Sequence, residues 1–173
     1  MRSIQPGAVI MALKRLENKL SQQVISSGPN NYLGLGDLTL RSNLAEFTYK
    51  NSPTLLDKIR KILLKVDREK SSFLTFTHGL FETTLIVSKN IEVDIKQVFT
   101  KEELRSKFSD LSAITLLLPK EIVGIPGAYY QILKTLAWEN INIIEVVSNY
   151  TELTIVLEDR EVDKAFSALK NLS

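Results

Sequence analysis

Two stretches of about 60 residues run through the same order of elements, strand, helix, hairpin, helix, although their residues diverge. In the first, residues 37–49 interleave β-branched and aromatic residues with polar ones, which reads as strand, with a possible break near Ser42-Asn43. Asn51-Ser52-Pro53-Thr54 ends it, and Thr54 can cap a helix whose apolar stripe is Leu55, Leu56, Ile59, Ile62, Leu63 and Val66. Residues 72–77 (SFLTFT) and 81–87 (FETTLIV), joined by a turn at His78-Gly79, form a hairpin. A short helix over 93–99 and a helical or loop connector over 101–108 follow. In the second stretch, residues 112–118 (SAITLLL) form a strand and 119–127 (PKEIVGIPG) a loop. A helix over 128–139 then presents Ala128, Tyr129, Ile132, Leu133, Leu136 and Ala137 inward. Strands over 143–148 and 152–158 and a final helix burying Val162, Ala165, Phe166 and Leu169 complete the unit.

Strand-helix-strand twice over makes a ferredoxin-like antiparallel sheet with helices on one face, an α+β fold. Each unit is a βαββα(β) module, but the chain stops at Ser173, before a fourth strand for the second. Residues 37–41 (DLTLR) could supply it, which would interlock the modules and forbid a clean cut at residue 110. The expected organisation is an N-terminal helical segment and linker (1–35), a first module (36–110) and a second (111–173). The N-terminal helix keeps Ala8, Val9, Ala12, Leu13, Leu16 and Leu20 on one face, and a turn-rich stretch from Ser26 to Gly36 separates it from the modules. Gly34-Leu35-Gly36 lacks the third spaced glycine and the preceding strand of a dinucleotide loop.

Charge is unevenly spread. Residues 1–110 hold 17 basic and 12 acidic side chains, and residues 111–173 hold 5 and 8. The overall +2 is too small to argue for nucleic acid. The cluster Lys58, Arg60, Lys61, Lys65, Arg68 and Lys70 reads as a solvated helix face, and one N-terminal helix falls short of the two in a helix-turn-helix. The absence of cysteine excludes disulfides, thiol nucleophiles and zinc-thiolate sites, and a single histidine argues against a catalytic triad or a His-rich metal site. His78, in a hairpin turn far in sequence from acidic partners, reads as a surface residue. No cofactor is called for. With no apolar run of about 18 residues and no signal-peptide core, a cytoplasmic protein away from membranes is expected.

The loop before the 128–139 helix asks for more than packing. Gly124 and Gly127 permit close backbone approach, Pro126 stiffens the turn, and amides of residues 125–128 at the positive end of the helix dipole could hold a carboxylate. An accompanying ammonium could find oxygens on Asn140 and Asn142, although a tight turn and two helix-ending asparagines account for the same residues. Tyr129, Tyr130 and Trp138 could line a pocket or cover core or dimer surface.

The run VGIPGAYYQILKTLAWENINIIEVVS, followed by a turn and LTIVLE, resembles an ACT domain, in particular the second ACT repeat of aspartokinases. The resemblance covers 112–172 strongly; residues 40–99 match a partner repeat by element order and by strands such as LAEFTY (44–49). It implies a regulatory, non-catalytic protein, since no kinase domain is present, that binds an amino acid and pairs as a homodimer. By position, the contacts it implies are Val123, Gly124, Ile125, Pro126, Gly127 and Ala128 before the helix, Asn140, Asn142 and Ile143 after it, and Ser148. The first module's loop, NSPT, has no glycine, which puts an effector site there in doubt. An interaction module with a vestigial site is the alternative, and a transcriptional regulator a more distant one.

Overall fold

A computed structural model describes residue 7 and residues 10–16, 35–66 and 72–172. Gly7 and residues 10–16 are helical and exposed, and Leu35 is buried in the second core; the rest of the expected N-terminal helix and linker, like Arg68 and Lys70, lies outside the described residues. Six strands and four helices follow: β1 (Leu38–Lys50), α1 (Leu55–Val66), β2 (Leu74–His78), β3 (Glu82–Ser88), α2 (Glu92–Val98), β4 (Leu104–Leu117), α3 (Ala128–Trp138), β5 (Glu145–Ser148), β6 (Glu152–Glu158) and α4 (Val162–Lys170). They build an α+β fold with one antiparallel sheet in the order β2-β3-β1-β4-β6-β5.

The connector expected over 101–108 is instead strand from Leu104 onward. It lacks strand-like alternation of apolar residues because Leu104 and Phe108 are both exposed, and the backbone is held by pairing with β1. Residues 37–49 form no two separate strands either. Asn43 (φ 59°) absorbs a bulge between Arg41 and Leu44, and β1 runs on through it; Asp110 (φ 55°) occupies the matching place in β4. Asparagine and aspartate tolerate this left-handed conformation better than other non-glycine residues.

The two long strands cross at Leu44 and Leu111, which pair with each other. Leu38 to Arg41 pair with Leu116 to Ala113, and Leu44 to Tyr49 pair with Leu111 to Leu104. Each half of the sheet is therefore completed by a strand segment from the other half of the chain. Around β1, β3 and β2, the helices α1 and α2 bury Leu55, Ile59, Ile62, Ile91, Ile95 and Phe99 against Ala45, Phe47, Tyr49, Leu85 and Val87. Around β4, β6 and β5, α3 and α4 bury Ile132, Leu136, Ala165 and Leu169 against Ile114, Leu116, Leu153, Ile155 and Leu157. Leu56 and Leu63, assigned to the buried stripe of α1, point outward, as do Tyr129 and Ala137 on α3, because each helix meets the sheet along a face only one residue wide per turn. The helix-free face is also covered. The sheet curls so that Leu44 and Ile86 meet Leu111, Ala113 and Val156 in a third apolar cluster, flanked by Phe73, Ile144 and Val147. The Arg41 guanidinium lies 5.7 Å from the Phe73 ring centre across this fold.

Candidate functional site

After β4, the chain makes a 3-10 turn over Lys120–Gly124 and enters α3 through Ile125, Pro126 and Gly127. Gly127 has φ 78°, a conformation that costs a non-glycine residue about 1–2 kcal/mol. A Cβ built there meets nothing within 4 Å, so the backbone alone demands glycine. Gly124 is equally unobstructed but has no such conformation. Ile122, Ile125, Gly127, Ala128, Tyr129 and Tyr130 line an open cleft of about 300 Å³. The Tyr129 hydroxyl lies 3.0 Å from Ser148 Oγ, which brings the end of β5 to the mouth of the cleft.

The row of four amides expected at residues 125–128 is reduced. The Ile125 N–H donates to the Ile122 carbonyl (3.1 Å) and the Ala128 N–H to the Ile125 carbonyl (3.3 Å). Pro126 has no N–H. Of the four, Gly127 remains as the amide with no backbone acceptor among the described residues, on the cleft whose mouth holds the Tyr129 and Ser148 hydroxyls. Val123 belongs to the 3-10 turn.

Asn140 and Asn142 stand apart from this cleft in the single chain. Asn140 (φ 55°) closes the far end of α3, where its N–H donates to the Ala137 carbonyl (3.0 Å) and the Ile141 N–H to the Leu136 carbonyl (3.0 Å). That pair of bonds is a Schellman cap. Eleven residues of α3, about 16 Å at 1.5 Å each, separate it from Gly127. Asn142 is exposed just beyond it, and Ile143 packs its side chain against the second core. Tyr130 and Trp138 flank Lys134 on the outer face of α3, its ammonium 5.7 and 5.2 Å from their ring centres.

The start of α1 is built differently. Ser52 Oγ donates to Glu102 Oε2 (2.6 Å), Thr54 Oγ1 donates to Glu102 Oε1 (2.7 Å), and the Lys58 ammonium lies 2.7 Å from Oε1. Burial would raise the pKa of Glu102, whose side chain is 3% exposed, but the bonds from Lys58, Ser52 and Thr54 outweigh it and hold the pKa at about 2. Nearby, burial first and the Glu102 charge second push the Tyr49 phenol up to about 12.

Elsewhere the chemistry is structural. His78 Nδ1 lies 2.6 Å from Thr83 Oγ1, which donates to Asn51 Oδ1 (2.6 Å), so the imidazole donates through Nδ1 and braces the hairpin turn. Among the described residues there is no cluster of three or more His, Asp or Glu suited to a metal, and no helix is long and apolar enough to cross a membrane. Sequence reasoning did not single out Glu46, which lies on the helix-free face of β1 and is 4% exposed. Its Oε2 has no hydrogen-bond partner. Burial, and then the charge of Glu145, push its pKa up to about 7.

No protein-family profile matches this sequence, and no curated protein matches it. Solved structures do match its fold. The regulatory subunit of aspartate kinase from Thermus thermophilus aligns over 80% of this chain and 97% of its own, with 11% identity and a TM-score of 0.61. Clostridium acetobutylicum aspartate kinase aligns over 83% of this chain and 36% of its own (14%, TM-score 0.64). E. coli aspartokinase III in complex with lysine and aspartate aligns over 83% and 34% (14%, TM-score 0.55). The chain thus has the fold of aspartokinase regulatory regions and spans about a third of the length of the complete kinases.

Proposed function

We propose that this chain is a non-catalytic regulatory protein that binds an amino acid, or a similar small carboxylate, at the start of α3. The observation that carries this reading is Gly127 in the left-handed conformation at the first turn of an eleven-residue helix, beside an open cleft whose rim brings the Tyr129 and Ser148 hydroxyls together. The Gly127 N–H and the helix dipole attract the carboxylate, the hydroxyls add polar contacts, and Ile122 and Ile125 offer apolar walls. The fold shared with a regulatory subunit of aspartate kinase, and with an aspartokinase whose structure holds lysine and aspartate, supports the same reading. Val123, Gly124, Pro126 and Ala128 shape this turn. Asn140, Asn142 and Ile143, at the far end of α3, would reach a ligand only if a second copy brought its own helix end alongside, which is the role a homodimer would have.

Titration calorimetry and thermal shift against pools of the twenty amino acids test the proposal. Saturable binding, lost in Gly127→Val, is expected. No heat and no change of melting point at about 10 mM ligand, a concentration that detects even weak sites, would refute it. A pure interaction module is the second reading, favoured by exposed Leu56, Leu63 and Leu64 on α1 and by Trp138, 81% exposed on α3.

A further inference from the structure

The two halves of the chain are related by a pseudo-twofold operation through the Leu44–Leu111 pair, and it can be followed residue by residue at the helix starts. Tyr49 pairs with Leu104 as Leu116 pairs with Leu38. The Lys50 N–H donates to the Glu103 carbonyl (3.0 Å) as the Leu117 N–H donates to the Asp37 carbonyl (3.1 Å). The Asn51 N–H donates to the Phe81 carbonyl (2.8 Å) as the Leu118 N–H donates to that of Thr151 (2.7 Å). Glu103 therefore corresponds to Asp37, and beyond this point the two paths diverge: the Gly36 N–H still donates to the Leu117 carbonyl (2.8 Å), whereas the Glu102 N–H turns to the Phe99 carbonyl (2.8 Å).

That correspondence places a carboxylate at one helix start and nothing at the other. At α1, the side chain of Glu102 reaches into the turn and is held by Ser52, Thr54 and Lys58. At α3, the residue preceding Asp37 is Gly36, which has no side chain, and even a Cβ there would come within 3.2 Å of the Leu117 Cβ and carbonyl oxygen. The loops differ in the same sense. The α1 loop supplies two hydroxyls and the first turn of α1 an ammonium, all held on a carboxylate already in place, whereas the α3 loop supplies a glycine turn beside an open cleft.

We propose that Glu102 is an intramolecular ligand: its carboxylate occupies, at the start of α1, the place that a free carboxylate takes at the start of α3, so the first half of the protein is permanently self-liganded. The second half alone answers to an external effector, and the protein senses through one site of a duplicated pair. Ser52, Thr54 and Lys58 form a carboxylate site whose chemistry is complete and whose occupant is covalently tethered. Tethering makes the binding of that carboxylate intramolecular, so a dissolved acid must compete with a group that is always present at the site.

The inference takes from the proposed function only the idea that the start of α3 receives a carboxylate, and its test can be separated from that idea. Glu102→Ala is made in a Gly127→Val background, where the α3 site is disabled, and its melting point is followed against sodium formate and acetate, with sodium chloride at equal ionic strength as control. The double variant is expected to melt below Gly127→Val and to recover saturably with formate or acetate but not with chloride. Half-saturation on the order of 10 mM suits ligands of three or four non-hydrogen atoms. Gly127→Val alone should not respond, and adding Lys58→Met should abolish the recovery. If the double variant is unfolded in buffer, the same titration is read as recovery of its far-ultraviolet circular dichroism. Absence of recovery in both readouts, or equal recovery with chloride, overturns the inference even if the wild type binds amino acids. Recovery upholds Glu102 as the tethered ligand of the α1 site; if the wild type then binds no amino acid, the claim that the second half senses an effector falls with the proposed function.

Discussion

Replacing Glu46 by glutamine should make the protein more stable at pH 8 and no more stable at pH 5. Glu46 sits inside the curl of the sheet with one carboxyl oxygen unpartnered, so its charged form loses water without gaining a partner. Its pKa rises from 4.5 to about 7 through burial and the facing charge of Glu145. A group that binds its proton more tightly when folded supports stability fully below the unfolded value, near 4.5, and loses that support as the pH climbs through about 7. At 1.36 kcal/mol per unit, the loss amounts to about 3 kcal/mol by pH 8. Glutamine keeps the shape and cannot ionise, so Glu46→Gln should recover most of that at pH 8, raising the melting point by on the order of 10 °C in a chain of this size. At pH 5 the protonated wild type and the variant should lie within about 1 kcal/mol, with the variant the lower if its amide finds no acceptor. Urea unfolding at half-unit pH intervals from 4.5 to 8.5 gives both curves. Parallel curves, with no convergence toward acid pH, would refute the burial argument, because they would mean that Glu46 is ionised or solvated alike in both states.

Other consequences of the fold can be checked directly. Asn43→Val puts a β-branched residue at φ 59° and should cost about 1–2 kcal/mol in urea unfolding, whereas Asn43→Gly should cost little; equal effects would show that the bulge can relax. Cutting the chain after Asp110 leaves residues 111–173 without the strand 38–41 that covers Ala113 to Leu116, so this fragment should aggregate or stay unfolded by circular dichroism when expressed alone. Expression of both fragments together should restore the fold, and a well-folded isolated fragment would contradict the interlocked pairing.

Much of the element order was readable because its signals are local. Leu55, Ile59 and Ile62 recur with helical period, and they are the residues α1 buries. The ELTIVLE run and its Asn149-Tyr150 turn mark β6, which begins at Glu152. Failures occurred where a distant partner makes the decision. Residues 104–108 carry no strand pattern of their own, yet they are strand because β1 offers them a ladder. In LAEFTY, alternation sends Leu44, Glu46 and Thr48 to the face opposite Phe47 and Tyr49, which for a sheet with helices on one face would be solvent. The curl of the sheet buries all six.

The candidate site divides along the same line. Gly127 and Pro126 announce a tight helix entry from sequence, since only backbone conformation is at stake. Ser148 joins them only because β5 returns antiparallel to β6 and ends beside Tyr129. Asn140, by contrast, carries a signal for a helix end, and the structure uses it there, about 16 Å from the cleft by the 1.5 Å rise per residue.

Periodicity, turn chemistry and repetition, properties of neighbouring residues, were enough to establish a duplicated α+β chain with an unusual glycine turn. The sequence offered residues 37–41 as the strand that completes the second half; that 104–108 complete the first, that Glu102 meets Lys58, and that Glu46 is sealed inside were decided by the tertiary structure alone. Such contacts join residues far apart in the chain, Lys58 and Glu102 being 44 positions apart, and no local pattern encodes a partner that only the crossing of two long strands brings within reach.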